Sequence, residues 1–207
     1  MRSLFLSPAL SLVPIALAAA TPAVAAPSGA LAEVSAHLRG ITTMTADFVQ
    51  TDRNGKALSG KLSLRQPGRV RFEYQKGVPL LIVGDGKALT MIDYSVRQVS
   101  RWPVGNSPLS VLIDPSKDIS RFAKVVDGAA PGTTLVEARD PKHPEFGTIT
   151  IAFVRGNGPA GLKLIGWTVV DAQNGRSTVR LSNQAYGVPI SDKTFKWDDP
   201  RPRGPRN

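Results

Sequence analysis

The stretch from residue 60 to residue 93 restricts the fold of this chain more than any other part of it. It contains four short segments rich in strand-forming residues, and proline or glycine marks each boundary between them. In the second segment Val70, Phe72 and Tyr74 alternate with charged residues, so one face of the strand is apolar and the other is charged. The pattern predicts an antiparallel meander whose apolar face is covered either by the protein's own core or by an apolar ligand.

Strand patterns also occur on both sides of this meander. Asn54-Gly55 and Asn174-Gly175 are typical hairpin turns between alternating segments. We find no internal repeat and no long linker, so the pattern predicts a mainly β domain built on one antiparallel sheet. A sheet of about ten strands holds together only by curling. Further strands are predicted over residues 43–51, 58–64, 97–101, 123–126, 133–138, 147–154, 162–171 and 177–183.

Helical patterns occur before the first strand and in the middle of the chain. Apolar residues at helical spacing predict an amphipathic helix over residues 28–40, with Ser28 as its N-cap. Two shorter helices are predicted later, one starting at Ser107 and Pro108 and one over residues 116–123. The two later helices carry more apolar side chains than a connection needs, so we expect them to cover the apolar face of the sheet as a lid.

The N-terminal sequence is typical of an exported protein. Residues 1–25 combine a basic start, a short apolar stretch and an Ala-x-Ala ending, which predicts a cleaved signal peptide. We expect a folded domain over residues 26–199 and a basic, disordered tail over residues 200–207. The chain has no cysteine, which excludes disulfides, a thiol nucleophile, a cysteine-bound metal and a lipid anchor on cysteine.

The chain is strongly basic, with a formal net charge of +10 at pH 7. Such a charge favours an anionic partner, for example nucleic acid, lipid headgroups or an acidic protein surface. It also favours solubility without any partner. Because an exported protein rarely meets nucleic acid, we expect no nucleic-acid partner.

No motif indicates catalysis or cofactor binding. Residues 156–161 match G-x-G-x-x-G, but a proline lies inside the motif and a predicted strand follows it, so we predict a hairpin loop. His37 and His143 lack partners at metal-binding spacing, and we expect both on the solvated surface. We therefore predict a protein that is not an enzyme and that uses neither a cofactor nor a metal.

Apolar surface is the remaining functional signal. One face of the sheet and the predicted helices present many large apolar side chains, among them Phe48, Phe72, Phe153 and Trp167. An ordinary buried core uses such positions, and so does an open pocket between a curved sheet and a lid. The alternation of residues does not distinguish the two.

Several short motifs, spread over nearly the whole chain after residue 25, match a known family as a set. They are Phe48-x-Gln50, Gly60 with Leu62 and Leu64, residues 65–74, residues 81–87 with Asp93, Ser107-Pro108-Leu109, Trp167-x-x-x-Asp171-x-x-x-Gly175, and a strand expected around Phe195. With these motifs the sequence resembles the LolA family of periplasmic outer-membrane lipoprotein carrier proteins.

The resemblance implies a fold, a function and partners. The fold is an unclosed β-barrel of about 10–11 strands covered by a helical lid, as in LolA and LolB. The function is that of a monomeric chaperone in the periplasm of a Gram-negative bacterium, whose apolar cavity binds the acyl chains of lipoproteins. The implied partners are acylated lipoproteins, an inner-membrane ABC lipoprotein exporter, and an outer-membrane acceptor or the membrane itself. No cofactor and no chemical step are implied.

The resemblance also implies site residues. Acyl-chain contacts are expected from Phe48, Leu62, Leu64, Val70, Phe72, Leu81, Met91, Ile149, Ile151 and Trp167. The underside of the lid is expected to consist of Leu109, Leu112 and Ile113.

The sequence departs from the family at the residues that hold the lid. In the family an arginine directly before a proline ties the lid to the barrel, whereas here Gln66 occupies that position and Arg65 precedes it. Both are candidates for the lid latch, although neighbouring strand residues point in opposite directions. Thr90 also replaces an aromatic residue that is usual in the family, which predicts a slightly different cavity wall.

Two other functions are compatible with the same residues. A barrel of this fold also suits a periplasmic sensor that binds a different lipid or a signalling partner, and a second domain would favour that function. A secreted hydrolase is the other alternative, and turnover of ester or glycoside substrates would reveal it.

Overall fold

The computed structural model describes residues 29–103, 110–114, 118–126 and 130–202. Its strands are β1 (Thr43–Thr51), β2 (Ala57–Arg65), β3 (Arg69–Tyr74), β4 (Leu80–Asp85), β5 (Ala88–Asp93), β6 (Gln98–Pro103), β7 (Ala123–Val126), β8 (Thr133–Arg139), β9 (Thr148–Arg155), β10 (Leu162–Val170) and β11 (Arg176–Tyr186). They form one 11-stranded antiparallel sheet in the order β6-β5-β4-β3-β2-β1-β11-β10-β9-β8-β7. Because β6 and β7 remain as its two edges, the sheet is unclosed, as predicted.

The sheet consists of two meanders, β1–β6 and β7–β11, which the pairing of β1 with β11 unites. The register of β1 against β11 shifts between Thr45 and Asp47. The register of β10 against β9 shifts between Leu164 and Gly166. Such irregularities increase the local twist and bend a strand, so they favour curvature where the two meanders meet.

The described helices are fewer and shorter than the sequence predicts. They are α1 (Gly29–Gly40), α2 (Ser110–Ile113) and four 3₁₀ turns, Ile119–Arg121, Pro144–Phe146, Pro159–Gly161 and Asp192–Phe195. The first predicted helix is confirmed by α1. Of the short helix predicted over residues 116–123, the described part, residues 118–123, contains the 3₁₀ turn Ile119–Arg121 and the first residue of β7. Ser28, Ser107 and Pro108 lie outside the described residues. The strand expected around Phe195 is wrong, because that residue ends a 3₁₀ turn.

Among the helices in the described residues, none has both the length and the hydropathy that crossing a bilayer requires.

Helix α1 packs at one end of the concave face. Its residues Leu31, Val34 and Leu38 are buried, and the helix contacts the 3₁₀ turn Pro159–Gly161, which joins β9 to β10. The side chains that point inward from β8 and β9 are buried in the same cluster. This end of the molecule is therefore a filled hydrophobic core.

The C-terminal strap, defined here as residues 187–199, packs on the outer face of the first meander. On that face Leu81, Val83 and Ile92 form a small apolar cluster, and Trp197 of the strap packs against it. The strands β4 and β5 therefore have apolar contacts on both faces, which explains why their sequence is apolar at consecutive positions.

Polar contacts also hold the strap to the sheet. Arg65 donates a hydrogen bond to the Ile190 carbonyl oxygen at 2.9 Å, and its guanidinium lies over the Phe195 ring at 5.5 Å from the centroid. Arg65 and Arg69 both pair with the Asp192 carboxylate. The hydrogen bond from Arg65, followed by that from Arg69, lowers the pKa of Asp192, so this carboxylate stays ionised near neutral pH.

Substituting Gly60 by alanine tests the packing of β2. An added Cβ would lie 2.2 Å from the Glu73 carbonyl oxygen and 2.7 Å from Cε1 of Phe48. We expect Gly60→Ala to lower the free energy of unfolding by about 1–3 kcal/mol, because overpacking forces backbone shifts. Urea unfolding measures this, with Gly29→Ala as the control, since a Cβ at Gly29 meets no atom within 4 Å. Equal midpoints for the two variants would contradict the prediction.

Candidate functional site

A cavity of about 300 Å³ lies between the concave face of the sheet, α1 and α2. Both meanders contribute to its wall, through β1–β5 on one side and β10–β11 on the other. Among the described residues, the side chains that line it are apolar except for Gln50 and Ser177. The sheet therefore has a packed core under α1 and an apolar cavity beside it, so both alternatives that the sequence left open occur in one molecule.

Six of the residues that the sequence predicts for the site line this cavity. They are Leu62, Leu64, Val70, Phe72 and Trp167 from the sheet and Leu112 from α2. The Phe72 and Trp167 rings meet edge to face with centroids 6.1 Å apart. Since β3 and β10 belong to different meanders, this aromatic contact joins the two halves of the cavity wall.

Four other predicted residues lie on the concave side without lining the cavity. Phe48, Ile149 and Ile151 are no more than 1% exposed and belong to the solid core. The Phe48 ring packs edge to face against the ring of Phe72, which lines the cavity, with the two centroids 5.3 Å apart. Phe48 therefore supports a lining residue. Met91 pairs with Ile82, a cavity residue, across β4 and β5, but it does not contribute to the lining.

Leu81 lies on the opposite face of the sheet from the cavity. Its neighbour Ile82 points into the cavity, and adjacent strand residues face opposite sides. Leu81 instead packs with Val83 and Ile92 beneath Trp197 of the C-terminal strap. The expectation of an acyl contact from Leu81 is therefore replaced by a role in anchoring the strap.

The predicted lid is described only in part. Leu109 and the side chain of Ile113 lie outside the described residues, whereas Leu112 is buried and lines the cavity. Gln66 reaches this segment, because its Nε2 donates to the Leu112 carbonyl oxygen at 3.5 Å, while its Oε1 accepts from the Gly68 backbone N–H at 2.8 Å. Arg65 points to the other face and binds the C-terminal strap, so of the two latch candidates Gln66 is the one that contacts α2.

The cavity wall also contains residues that the sequence prediction missed. They are Leu38, Ile41, Met44, Ile82, Leu89, Leu164, Val169 and Val179, together with the polar Gln50 and Ser177. The alternation of inward and outward side chains, which predicts the side of Phe72, also predicts that of Val169 and Val179. Both face the same side of the sheet as Trp167, which is a predicted site residue. For Ile82 no alternation exists, since both of its neighbours are apolar.

His37 is buried, and the prediction that it lies on the solvated surface is wrong. The side chain is 0% exposed, with Nδ1 2.8 Å from the Pro159 carbonyl oxygen and ring contacts to Phe153 and Tyr186. Desolvation lowers the pKa of His37, although the hydrogen bond to Pro159 opposes this. Nε2 has no hydrogen-bond partner, so a proton added there would be buried and unpaired.

The remaining motifs are structural. Residues 156–161 form the hairpin loop between β9 and β10, as predicted. His143 is exposed on the β8–β9 loop, as predicted, with 47% of its side chain accessible. Within the described part of the chain, no group of three or more histidine, aspartate or glutamate side chains is arranged to bind a metal ion.

Comparison with known proteins identifies the family. Residues 39–198, which include every strand and the whole cavity wall except Leu38, match the family described as "Outer membrane lipoprotein carrier protein LolA". The chain belongs to the LolA family. Its β1–β11 sheet and apolar cavity are thus features of a LolA-family member.

Individual relatives are similar over most of their length. The outer-membrane lipoprotein carrier protein of Chromobacterium violaceum is 31% identical over 210 residues, which cover 97% of this chain and 96% of the relative. The protein of the same description from Xanthomonas axonopodis pv. citri is 33% identical over 191 residues, covering 87% and 90%. Among solved structures, a LolA superfamily protein from Nitrosomonas europaea aligns with a TM-score of 0.44 at 10% identity, covering 81% of this chain and 97% of that one.

The buried His37 predicts a pH dependence of the stability of this LolA-family protein. Because the pKa of His37 is lowered in the folded state, the unfolded chain takes up a proton first as the pH falls. The free energy of unfolding should therefore decrease once the pH drops below about 6.5, the ordinary histidine value, and go on decreasing down to the folded pKa. Urea unfolding between pH 8 and pH 5 measures this.

Histidine variants provide the controls. His37→Gln should lose most of this pH dependence, whereas His143→Gln should keep it, because His143 is exposed on a loop. The same slope in His37→Gln as in the parent protein would contradict the assignment.

Proposed function

We propose that this protein carries acylated lipoproteins through the periplasm by holding their acyl chains in the cavity. The single observation that carries this proposal is an apolar cavity between the sheet and α2 in a member of the LolA family. Relatives that align over most of the chain are described as outer-membrane lipoprotein carrier proteins. An apolar cavity suits a cargo whose polypeptide part is soluble and whose acyl part is insoluble in water.

The energetics of acyl chains explain why a carrier needs such a space. Each methylene group that leaves water contributes about 0.8 kcal/mol, so a long acyl chain does not cross an aqueous compartment unprotected at a useful rate. The cavity of about 300 Å³ has room for about ten methylene groups, if one methylene fills roughly the volume of a water molecule, ~30 Å³. A lipoprotein with several long chains therefore requires the cavity to widen.

Helix α2 is the element best suited to move. Four of its residues are described, and the distance of 3.5 Å from Gln66 Nε2 to the Leu112 carbonyl oxygen exceeds the usual hydrogen-bond range of about 2.7–3.2 Å. A weak latch favours opening, and the apolar underside of α2 favours closing over an empty cavity. Cargo binding then shifts the equilibrium towards the open form.

We further propose the route and partners that the family implies. The signal peptide, residues 1–25, would direct the chain to the periplasm of a Gram-negative bacterium and be cleaved. The monomeric carrier would receive cargo from an inner-membrane ABC lipoprotein exporter and release it to an outer-membrane acceptor or to the membrane itself. No cofactor and no catalytic step is needed, because transfer follows from a difference in affinity between carrier and acceptor.

Native mass spectrometry of the protein, purified gently from the periplasm of cells that make lipoproteins, tests the proposed function. We expect a complex with an acylated lipoprotein. A bound free lipid in its place would contradict the carrier function and favour a lipid sensor of the same fold. The absence of any complex, even when purified triacylated lipoprotein is added, would also contradict it.

Filling the cavity tests the location of the acyl chains. Ile82 lines the cavity and is only partly buried, so we expect Ile82→Trp to leave the fold intact and to lower the affinity for a triacylated lipopeptide by more than tenfold. Val49→Trp is the matched control, because Val49 lies on the outer face and is 43% exposed. Fluorescence titration measures binding, and thermal unfolding measures the fold. Equal affinities of the two variants would place the acyl chains elsewhere.

Removing the latch tests the role of α2. Gln66→Ala removes the contact with Leu112, so we expect acyl probes to enter and leave faster, by less than the roughly tenfold that one full hydrogen bond supports, because the contact is long. Stopped-flow fluorescence with an acyl probe measures both rates. Gln98→Ala is the control, since the side chain of Gln98 is exposed and donates a hydrogen bond to Ser100 on the same edge strand, β6. Unchanged rates in Gln66→Ala would show that α2 is held by other contacts.

A further inference from the structure

The two polar residues of the cavity wall lie together at one end. Gln50 is the last inward-facing residue of β1, and Ser177 is the first of β11. Val179 pairs with Gln50 across these strands. The opposite end of the cavity is formed by Leu38 and Ile41 at the end of α1. The cavity therefore has an apolar end under α1 and a polar end at the turns that follow β1 and β3 and precede β11.

A buried tyrosine fixes the orientation of the Gln50 amide. The Tyr74 hydroxyl donates to Gln50 Oε1 at 2.5 Å, and Gln50 Nε2 donates to Ser177 Oγ at 3.3 Å. Burial raises the pKa of Tyr74 to about 12, so the phenol remains protonated and acts as the donor at physiological pH. Because the amide oxygen is occupied by Tyr74, the amide nitrogen faces Ser177.

The resulting chain of hydrogen bonds leaves two donors without an acceptor among the described residues, one on Gln50 and one on Ser177. The Gln50 amide has two N–H groups and uses one of them on Ser177, and the Ser177 oxygen accepts that bond, so its own hydroxyl hydrogen is free to donate. Two donors at the end of an otherwise apolar space fit a ligand that is apolar along its length and ends in an acceptor. Every acyl chain has this chemistry, since its hydrocarbon part ends in the carbonyl group of an ester or amide.

We infer that Gln50 and Ser177, with Tyr74 as the positioning residue, form a subsite that binds the ester or amide carbonyl oxygens of the acyl groups. This inference rests on the proposed carrier function and adds the orientation of the cargo. The hydrocarbon tails point towards Leu38 and Ile41, and the glyceryl and peptide part leaves the cavity beside the turns at residues 52–56 and 171–175. Gln50 and Ser177 are only partly buried. A ligand that is hydrocarbon throughout would cover their donors without offering an acceptor, and a buried donor without an acceptor is costly, so the subsite also disfavours such ligands.

A comparison of two ligands tests this subsite. One is a triacylated lipopeptide, and the other is the same lipopeptide with alkyl ether and alkyl amine linkages, which lack the carbonyl groups. The variants are Ser177→Ala and the double variant Gln50→Leu/Tyr74→Phe, in which both members of the buried pair become apolar so that neither is left unpaired. Thr178→Ala is the control, because Thr178 faces the outside beside Ser177.

We expect each site variant to bind the acylated lipopeptide about two- to tenfold more weakly than the parent protein, the range for one lost hydrogen bond. The affinity for the carbonyl-free analogue should not fall. An equal loss for both ligands, or no loss for either, would overturn the subsite while leaving the carrier function intact. If the parent protein binds neither ligand, the carrier function and the subsite both fail.

Free fatty acid provides a further arm, since its carboxylate is also an acceptor at the end of a hydrocarbon chain. An effect of the variants on fatty acid binding, without an effect on the lipopeptide, would overturn the assignment to the cargo's ester and amide groups. It would place a free fatty acid in the subsite instead.

Discussion

The pairing of β1 with β11 brings the two halves of the sheet together. It joins residues 44–51 to residues 178–186, so strands from the beginning and the end of the folded chain become neighbours. Long-range pairings of this kind are entropically costly to form. Once formed, the pairing makes the concave faces of both meanders continuous. The cavity depends on it, because Phe72 and Trp167, whose rings meet across the wall, come from different meanders.

One continuous apolar face serves two purposes in this protein. At one end α1 fills the concave face and creates a packed core around Val34, Phe153 and Ile151, none of which is exposed. Beside it the same face lines the cavity, together with residues of α1 and α2. An empty apolar space gives up dispersion contacts that a filled core would make. Under the proposed function, the acyl chains of the cargo restore these contacts, which is a physical reason for binding.

The outer face stabilises the sheet from the other side without obstructing the cavity. Trp197 and the Arg65–Asp192 pairing hold the C-terminal strap against the first meander. Because Arg65 and Gln66 are adjacent, one short segment serves both faces: the arginine binds the strap, and the glutamine contacts α2. The strap and the lid are thus linked through two neighbouring residues at the end of β2.

Local patterns account for the features that the sequence predicted correctly. In β2 and β3, apolar and polar residues alternate, and this alternation predicts that Leu62, Leu64, Val70 and Phe72 share one face of the sheet. All four line the cavity. Alternation is a property of neighbouring residues and needs no knowledge of the fold. The turn at residues 156–161 was likewise recognised from its own glycines and proline, because a hairpin turn depends on local backbone conformation.

Other features depend on segments that are distant in the sequence, and only the folded protein reveals them. Leu81 and Ile82 are both apolar, and their faces differ because Trp197 covers one side of β4 while the cavity lies on the other. His37 is buried because Pro159, Phe153 and Tyr186 pack around it. The alternating residues therefore determined that one face of the sheet is apolar. Whether that face is filled or left open was decided by where α1, α2 and the second meander pack, since the volume of a cavity is set by contacts between distant parts of the chain.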